Sequence, residues 1–239
     1  MFSITATIRR VKLAQHVRLA SWQRYGPSFS GLAPGSRMLA LTYDDGPNVP
    51  YTLQLMQTLA ELDIRATFFL IGNFVAKHPQ MALSLAKAGH AIGNHTYSHP
   101  DLTTLCSSQV RDELEKTQSA IKDATGSVPS LWRPPFGRRN RSAITVSQEC
   151  GLKLVMWKAA CYDWIAKSPE GIVDVLLPLI RGGEVIHLHD GDHRNQSADR
   201  SNCIKATRQV VQHLCGLGYQ FVTVPEMMEG TERTGAVLQ

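Results

Sequence analysis

The stretch Met38-Leu39-Ala40-Leu41-Thr42-Tyr43-Asp44-Asp45-Gly46-Pro47 runs from apolar residues into two adjacent carboxylates and a Gly-Pro turn. Its apolar part, residues 38–43, reads as a short buried strand. Residues 52–62 follow, with Leu55, Leu59 and Leu62 on one helical face. This strand–turn–helix unit recurs along the chain. Further strands are expected at 66–71, 90–93, 131–133, 153–157, 184–188 and 220–224. Helices are expected at 81–88, 109–124, 142–149, 170–180 and 203–214. Most stop at a glycine (Gly89, Gly126, Gly151, Gly182, Gly216), the residue that enters the left-handed region without a Cβ clash.

Alternation of this kind means a parallel sheet with helices outside it. Either a (β/α) barrel or an open doubly wound sheet satisfies it. Position decides between them. Asp44 and Asp45, Asn94 and His95, Arg133, Asp163, and His189 with Asp190 fall at or just after the ends of different strands. A barrel gathers chemistry around such a rim, whereas an open sheet concentrates it at one switch point. No GxGxxG or GxxxxGK[ST] occurs, which weighs against nucleotide binding. The expected fold is α/β, a distorted (β/α) barrel of seven or eight parallel strands.

Composition sets outer bounds. With 239 residues, 43% of them hydrophobic and 19% charged, the chain has material for a full core. It is neither a disordered chain nor a disulfide scaffold. No apolar run approaches the roughly 20 residues a membrane-spanning helix needs. Five cysteines, Cys106, Cys150, Cys161, Cys203 and Cys215, form no CxxC pair and read as reduced, mostly packed thiols. The net charge of +5 is unevenly placed. Six of the 25 Lys and Arg precede Asp44, the first acidic residue, so the remainder carries 19 basic against 20 acidic groups. A near-neutral body removes the main support for a nucleic-acid partner.

Residues 1–36 therefore read as a basic N-terminal arm, and 37–239 as the catalytic domain. Charge and Gln interrupt the arm's apolar residues, so a cleavable export signal is not expected and the cytoplasm is the default compartment. Ile4, Ile8 and Val11 have helical spacing. That permits either a weak contact with an anionic membrane surface or a strap packed on the domain.

The chemistry-bearing residues come in five clusters. Strand alternation points Asp44 and Asp45 in different directions, one toward a metal and the other toward substrate. His95-Thr96-Tyr97-Ser98-His99 spaces two imidazoles four apart, so one helical turn would align them. Two neutral imidazoles and one carboxylate suit a divalent cation with positions left open. Arg133, before Pro134-Pro135-Phe136-Gly137, needs a carboxylate partner if buried, and Gly137 allows a backbone N–H to approach a ligand. Asp163-Trp164 and His187-Leu188-His189-Asp190 complete the set, adding a His able to donate a proton.

In this order, the five segments resemble the motifs of the polysaccharide deacetylase (NodB-homology) family over residues 38–228. The resemblance implies hydrolysis of an N-acetyl group on an amino sugar or oligosaccharide, a linear amide, by metal-activated water. It implies that Asp45, His95 and His99 hold the metal, Zn²⁺ first, with Co²⁺ and Ni²⁺ as alternatives. It makes Asp44 the base, oriented by Arg133, and His189 the acid, paired with Asp163. A backbone N–H near Phe136 would stabilise the oxyanion. Phe136, Gly137, Trp164, His187 and Tyr97 would face substrate, Trp164 as a wall of the acyl pocket.

Two positions depart from the family pattern. Ala160 stands where an additional Asp is common, and His187 replaces an aliphatic residue lining the acyl pocket. A polar floor favours a smaller acyl group such as formyl, unless His187 turns aside and packs. The same fold and metal could also serve an O-acetyl esterase, a deformylase or a cyclic amide hydrolase. A non-catalytic carbohydrate-binding module would have lost part of the set, and every part is present. Arg138, Arg139 and Arg141 form a basic cluster suited to an anionic group or to solvent. His193, in Asp192-His193-Arg194-Asn195, adds an imidazole near the rim with no assigned role.

Overall fold

The computed structural model describes residues 27–234, with side chains to Gly230. Its strands are β1 (Met38–Gly46), β2 (Thr67–Leu70), β3 (Ala91–Asn94), β4 (Leu131–Trp132), β5 (Lys153–Leu154), β6 (Ala159–Ala160), β7 (Val185–His189) and β8 (Gln220–Phe221). They form one sheet in the order β5-β4-β3-β2-β1-β7-β6, and every named pairing is parallel. β8 pairs with the first residues of β1, through Met38 and Leu39. The helices are α1 (Tyr51–Glu61), α2 (Gly72–Lys77), α3 (Pro79–Lys87), α4 (Ser107–Thr125), α5 (Arg141–Glu149), α6 (Pro169–Leu176), α7 (Ser201–Gly216) and α8 (Val224–Thr234). The expected distorted (β/α) barrel is the observed architecture.

Period-2 alternation explains where the core and the polar groups go. Leu39, Leu41 and Tyr43 of β1 pack with Leu55 and Leu59 of α1 and with Ile186 and Leu188 of β7. The alternate residues point the other way. Ala40 and Val185 join Phe69, Trp132 and Val155 in a second apolar cluster. Continuing on that inner face toward the strand ends come Thr42 and Asp44 of β1 and His187 and His189 of β7. Apolar residues thus fill the lower interior, and polar ones occupy its mouth.

The strand path is open between β5 and β6. Here part of the arm has a structural task. Phe29 bridges Val155 beside β5, and Gly31 bridges Glu184 beside β7. Phe29 is buried and belongs to the inner cluster. Within residues 27–36, these contacts are the kind that the packed-strap alternative describes. The apolar spacing of Ile4, Ile8 and Val11 lies outside the described residues, as does any membrane contact of that segment.

Several boundaries differ from expectation, each for a local reason. The strand expected at 220–224 ends at Phe221, and α8 begins at Val224 with Pro225 in its first turn. Pro178, lacking an N–H, ends α6 at Leu176, and a 3₁₀ turn follows. β6, only two residues long, and α2 carry too little periodicity to be read from sequence. The cysteines are all unpaired: Cys161 and Cys203 are buried, Cys150 is half-buried, and Cys106 and Cys215 are exposed. Fewer are packed than composition implied. No helix among the described residues is long and apolar enough to cross a membrane.

Candidate active site

At the C-terminal mouth of the strands lies a cavity of about 370 Å³, lined by residues that include Asp44, Asp45, His95, His99 and His189. Asp44 is the last regularly paired residue of β1, and the register shifts between Asp44 and Gly46. Asp45 is the extra residue, at φ +70°. The bulge cancels the alternation expected of adjacent strand residues, so both carboxylates reach the same cavity.

The imidazoles are not presented by a helix. Thr96 and His99 have φ values of +66° and +60°, and Pro100 disfavours right-handed helix at the residue before it. A clamp holds the loop instead. Glu113 of α4 accepts the N–H groups of Tyr97 and Ser98, both at 2.8 Å, and the Ser98 hydroxyl at 2.7 Å. Asn94 accepts the Thr96 N–H at 2.8 Å and donates to the Leu114 carbonyl at the same distance. His95 and His99 both aim Nε2 at Asp45 Oδ1, at 3.3 and 3.2 Å.

This donor set fits a cation. Asp45 Oδ1 is buried and accepts no well-formed hydrogen bond among the described residues. Donors bonded at about 2.0–2.1 Å to a tetrahedral ion lie about 3.3 Å from one another, which is the spacing of Asp45 Oδ1 from each of the two Nε2 atoms. The Nδ1–H of His95 donates to the Arg133 carbonyl at 2.7 Å, which frees its Nε2 lone pair. Burial opposes ionisation of Asp45, but the adjoining imidazoles of His193, His95 and His99 hold its carboxyl well below the usual range.

On one side of this set stands Asp44. Arg133, fully buried, donates to Asp44 Oδ1 at 2.7 Å and to the Thr42 hydroxyl at 2.9 Å. Arg133 also points to the carbonyls of Val155 and Met156 and lies 4.1 Å over the Phe69 ring. The carboxylate partner that sequence demanded for Arg133 is present. Despite burial, Arg133 and the neighbouring imidazoles hold the Asp44 carboxyl well below its ordinary value.

On the other side stands His189. Its Nδ1–H donates to Asp163 Oδ1 at 3.0 Å, and its backbone N–H to Asp163 Oδ2 at 2.9 Å. Burial alone would depress this imidazole, but Asp163 overrides it and raises the pKa to about 9. The Trp164 ring meets His189 edge-on, with centroids 4.8 Å apart.

The remaining sequence candidates fall into place unevenly. His187 lines the cavity and also packs: its ring stacks on Trp157 at 3.9 Å, and its Nε2–H donates to Asp44 Oδ2 at 3.0 Å. Burial pushes its pKa down to about 4, so it is neutral. Phe136 lies at the rim with φ +57°. Gly137 lines the cavity, but its N–H is donated to the Pro134 carbonyl rather than held toward a ligand. Tyr97 does not reach the cavity; its loop turns it toward a groove beside α4. The arginine cluster disperses. Arg138 pairs with Asp101 at 2.7 Å, Arg139 is buried and donates to the Gly137 carbonyl, and Arg141 opens α5.

Sequence reading did not single out Glu113 or Trp157, and it placed Asp190 at the rim without giving it a role. Glu113 sits between Val110 and Thr117 on the inward stripe of α4, where a carboxylate signals a polar partner. Asp190 accepts the Thr52 hydroxyl at 2.5 Å, and burial raises its pKa to about 7. It also explains Gly46: a Cβ there would lie 2.3 Å from Asp190 Oδ2. Similarly, a Cβ on Gly191 would lie 1.9 Å from the Asp45 carbonyl oxygen.

Comparison with known proteins places this arrangement. Residues 32–155 match the family described as polysaccharide deacetylase. A peptidoglycan-N-acetylglucosamine deacetylase of Bacillus cereus is 33% identical over 213 residues, covering 87% of this chain and 74% of the relative. A chitooligosaccharide deacetylase of Rhizobium leguminosarum bv. trifolii is 31% identical over 204 residues, covering 83% and 95%. Among solved structures, a peptidoglycan N-acetylglucosamine deacetylase bound to an N-oxidanyl-benzamide superposes with a TM-score of 0.79 at 31% identity, covering 87% of this chain and 95% of that one. The chain belongs to the polysaccharide deacetylase family.

Proposed function

We propose that this protein hydrolyses the N-acetyl group of an amino sugar within a glycan, using a divalent cation held by Asp45, His95 and His99. The observation that carries the reading is one cavity in which two Nε2 atoms share Asp45 Oδ1, flanked by the Arg133–Asp44 and Asp163–His189 pairs. N-acetylglucosamine-containing glycans are the proposed substrate class, in keeping with the names of the relatives. Zn²⁺ is the proposed ion, because two imidazoles and a carboxylate are borderline donors that suit it.

When bound, the cation polarises the acyl carbonyl and makes water a nucleophile near neutral pH. The chain's own groups manage the protons. Asp44, kept ionised by Arg133, takes a proton as water adds its oxygen to the carbonyl carbon. The tetrahedral oxyanion needs donors. Gly137 and Arg138 donate their N–H groups to carbonyls of their own loop, so the amide of Phe136 is the one proposed to serve. His189, kept protonated by Asp163, gives its proton to the amine nitrogen as the C–N bond breaks. The free amine and the carboxylic acid are the products. Trp164 and Phe136, 40% and 48% exposed at the rim, offer apolar faces to the sugar.

A second acyl group is favoured by one observation. His187 presents a polar ring to the cavity beside Asp44, which suits formyl better than a methyl-bearing acetyl.

The test is acid release from N-acetylglucosamine oligomers and from O-acetylated sugars, before and after exhaustive chelation. Acetate release from the amide substrate that disappears on chelation and returns with Zn²⁺ is the expected result. Release that persists in metal-free protein refutes the reading.

A further inference from the structure

His193 lies in the loop after β7 and makes contacts that the catalytic scheme leaves unused. Its backbone N–H points to Asp45 Oδ2 at 3.3 Å and its ring Nδ1 to the same oxygen at 3.4 Å. Its ring lies flat on that of His99, with centroids 4.1 Å apart and planes inclined by 21°. Suitable donor atoms of Asp45, His99 and His193 all fall within 4.8 Å of one another.

The two metal-facing histidines are held differently. His95 is fixed by the hydrogen bond from Nδ1 to the Arg133 carbonyl. Nδ1 of His99 is buried and has no hydrogen-bond partner among the described residues. Its ring is fixed by packing: His193 covers its face, and Phe136 meets it edge-on at 4.7 Å. Asp45 is likewise two-sided. Its Oδ1 faces the histidine pair, while its Oδ2 faces the His193 N–H groups.

Resting on the cation site proposed above, we infer that His193 is a positioning residue of the metal centre. It holds Asp45 Oδ2 so that Oδ1 alone is presented, and its ring sets the plane of His99. The role differs from that of a fourth ligand: its Nδ1 addresses Asp45 Oδ2, not the Oδ1 shared by His95 and His99. A fourth protein ligand would also close the position that a hydrolytic ion keeps open.

Groups that orient metal ligands typically contribute about 10–100-fold to affinity. The experiment measures the Zn²⁺ dissociation constant of the full chain by competition with a chromophoric chelator, for wild type, His193→Ala and His193→Phe. His193→Ala is expected to weaken binding by about 10–100-fold. His193→Phe, which keeps the stack but loses the ring N–H, is expected to fall between the two. Absorption spectra of Co²⁺-loaded wild type and His193→Ala supply the second readout. Unchanged band positions and intensities at saturation are expected, because the ligands themselves stay the same.

An unaltered dissociation constant in both variants overturns the inference. A cobalt spectrum changed as by loss of a nitrogen ligand overturns it too, in favour of direct ligation. Wild-type protein that binds neither ion sinks the proposed function itself, a result distinct from either of these. Because His193→Phe retains the packing on His99, it keeps the comparison informative if the alanine variant folds poorly.

Discussion

Replacing Asp163 by Asn removes the carboxylate that keeps His189 charged. In the metal-free chain His189 titrates at about 9, against about 6.5 for an unperturbed imidazole. That difference corresponds to about 3 kcal/mol favouring the protonated form. Burial works in the opposite direction while Asp45 and Asp44 still raise it, so without Asp163 the pKa is expected to fall toward the unperturbed value of about 6.5. At pH 8 a group titrating at 9 is about 90% protonated, and one titrating at 6.5 about 3%. A roughly 30-fold loss of the acid form follows from protonation alone. The sign for stability is equally defined. Because folding raises this pKa, the imidazolium contributes fully below about 6.5, and its contribution fades as pH rises through about 9. The assay is an NMR titration of the His189 ring in metal-free wild type and Asp163→Asn, between pH 5 and 10. A ring that still titrates near 9 in the variant refutes the pairing argument.

Other groups yield sharper single readouts. Asp44→Asn should retain wild-type metal content while turnover falls by about 10²–10⁴, measured as acetate release; a near-normal rate removes Asp44 as base. Arg133→Met strands the buried Asp44 carboxylate and should lower unfolding free energy by about 3–5 kcal/mol in urea denaturation. An effect below about 1 kcal/mol would mean that the pair is not buried as described. His187→Leu should raise the acetyl-to-formyl ratio of kcat/KM, since it replaces a polar floor by an apolar one. An unchanged ratio places His187 outside the acyl pocket.

Much of this site was legible because alternation holds along β7 and along β1 as far as Asp44. Thr42 and Asp44, and His187 and His189, lie on the face opposite Leu39, Leu41, Ile186 and Leu188, as period 2 requires. The need of Arg133 for a carboxylate was also readable, since a buried guanidinium does not go unpaired. What escaped depends on contacts between distant segments. The bulge at Asp45 arises where β1 meets β2 and the loop after β7. The imidazole loop takes its shape from Glu113, which is 14 residues beyond His99 in a separate helix. His193 has no spacing rule relating it to Asp45 or His99; only the return of its loop across the mouth brings them together. Tyr97 lines a groove beside α4 and not the cavity, in a loop where Thr96 and His99 both take positive φ.

Gly46 and Gly191 sit where the end of β1 meets the turn after β7, each with no room for a single extra carbon. β1 and β7 are consequently keyed to one another like the halves of a jig, and neither can slide without dislodging the other. The separation of Asp44 from His189, paired across these strands, is thus held in part by contacts at this seam as well as by the Arg133 and Asp163 side chains. A methyl group at Gly191 would press on the Asp45 carbonyl, so it is expected to displace that end of β1 while every side chain named above stays in the sequence.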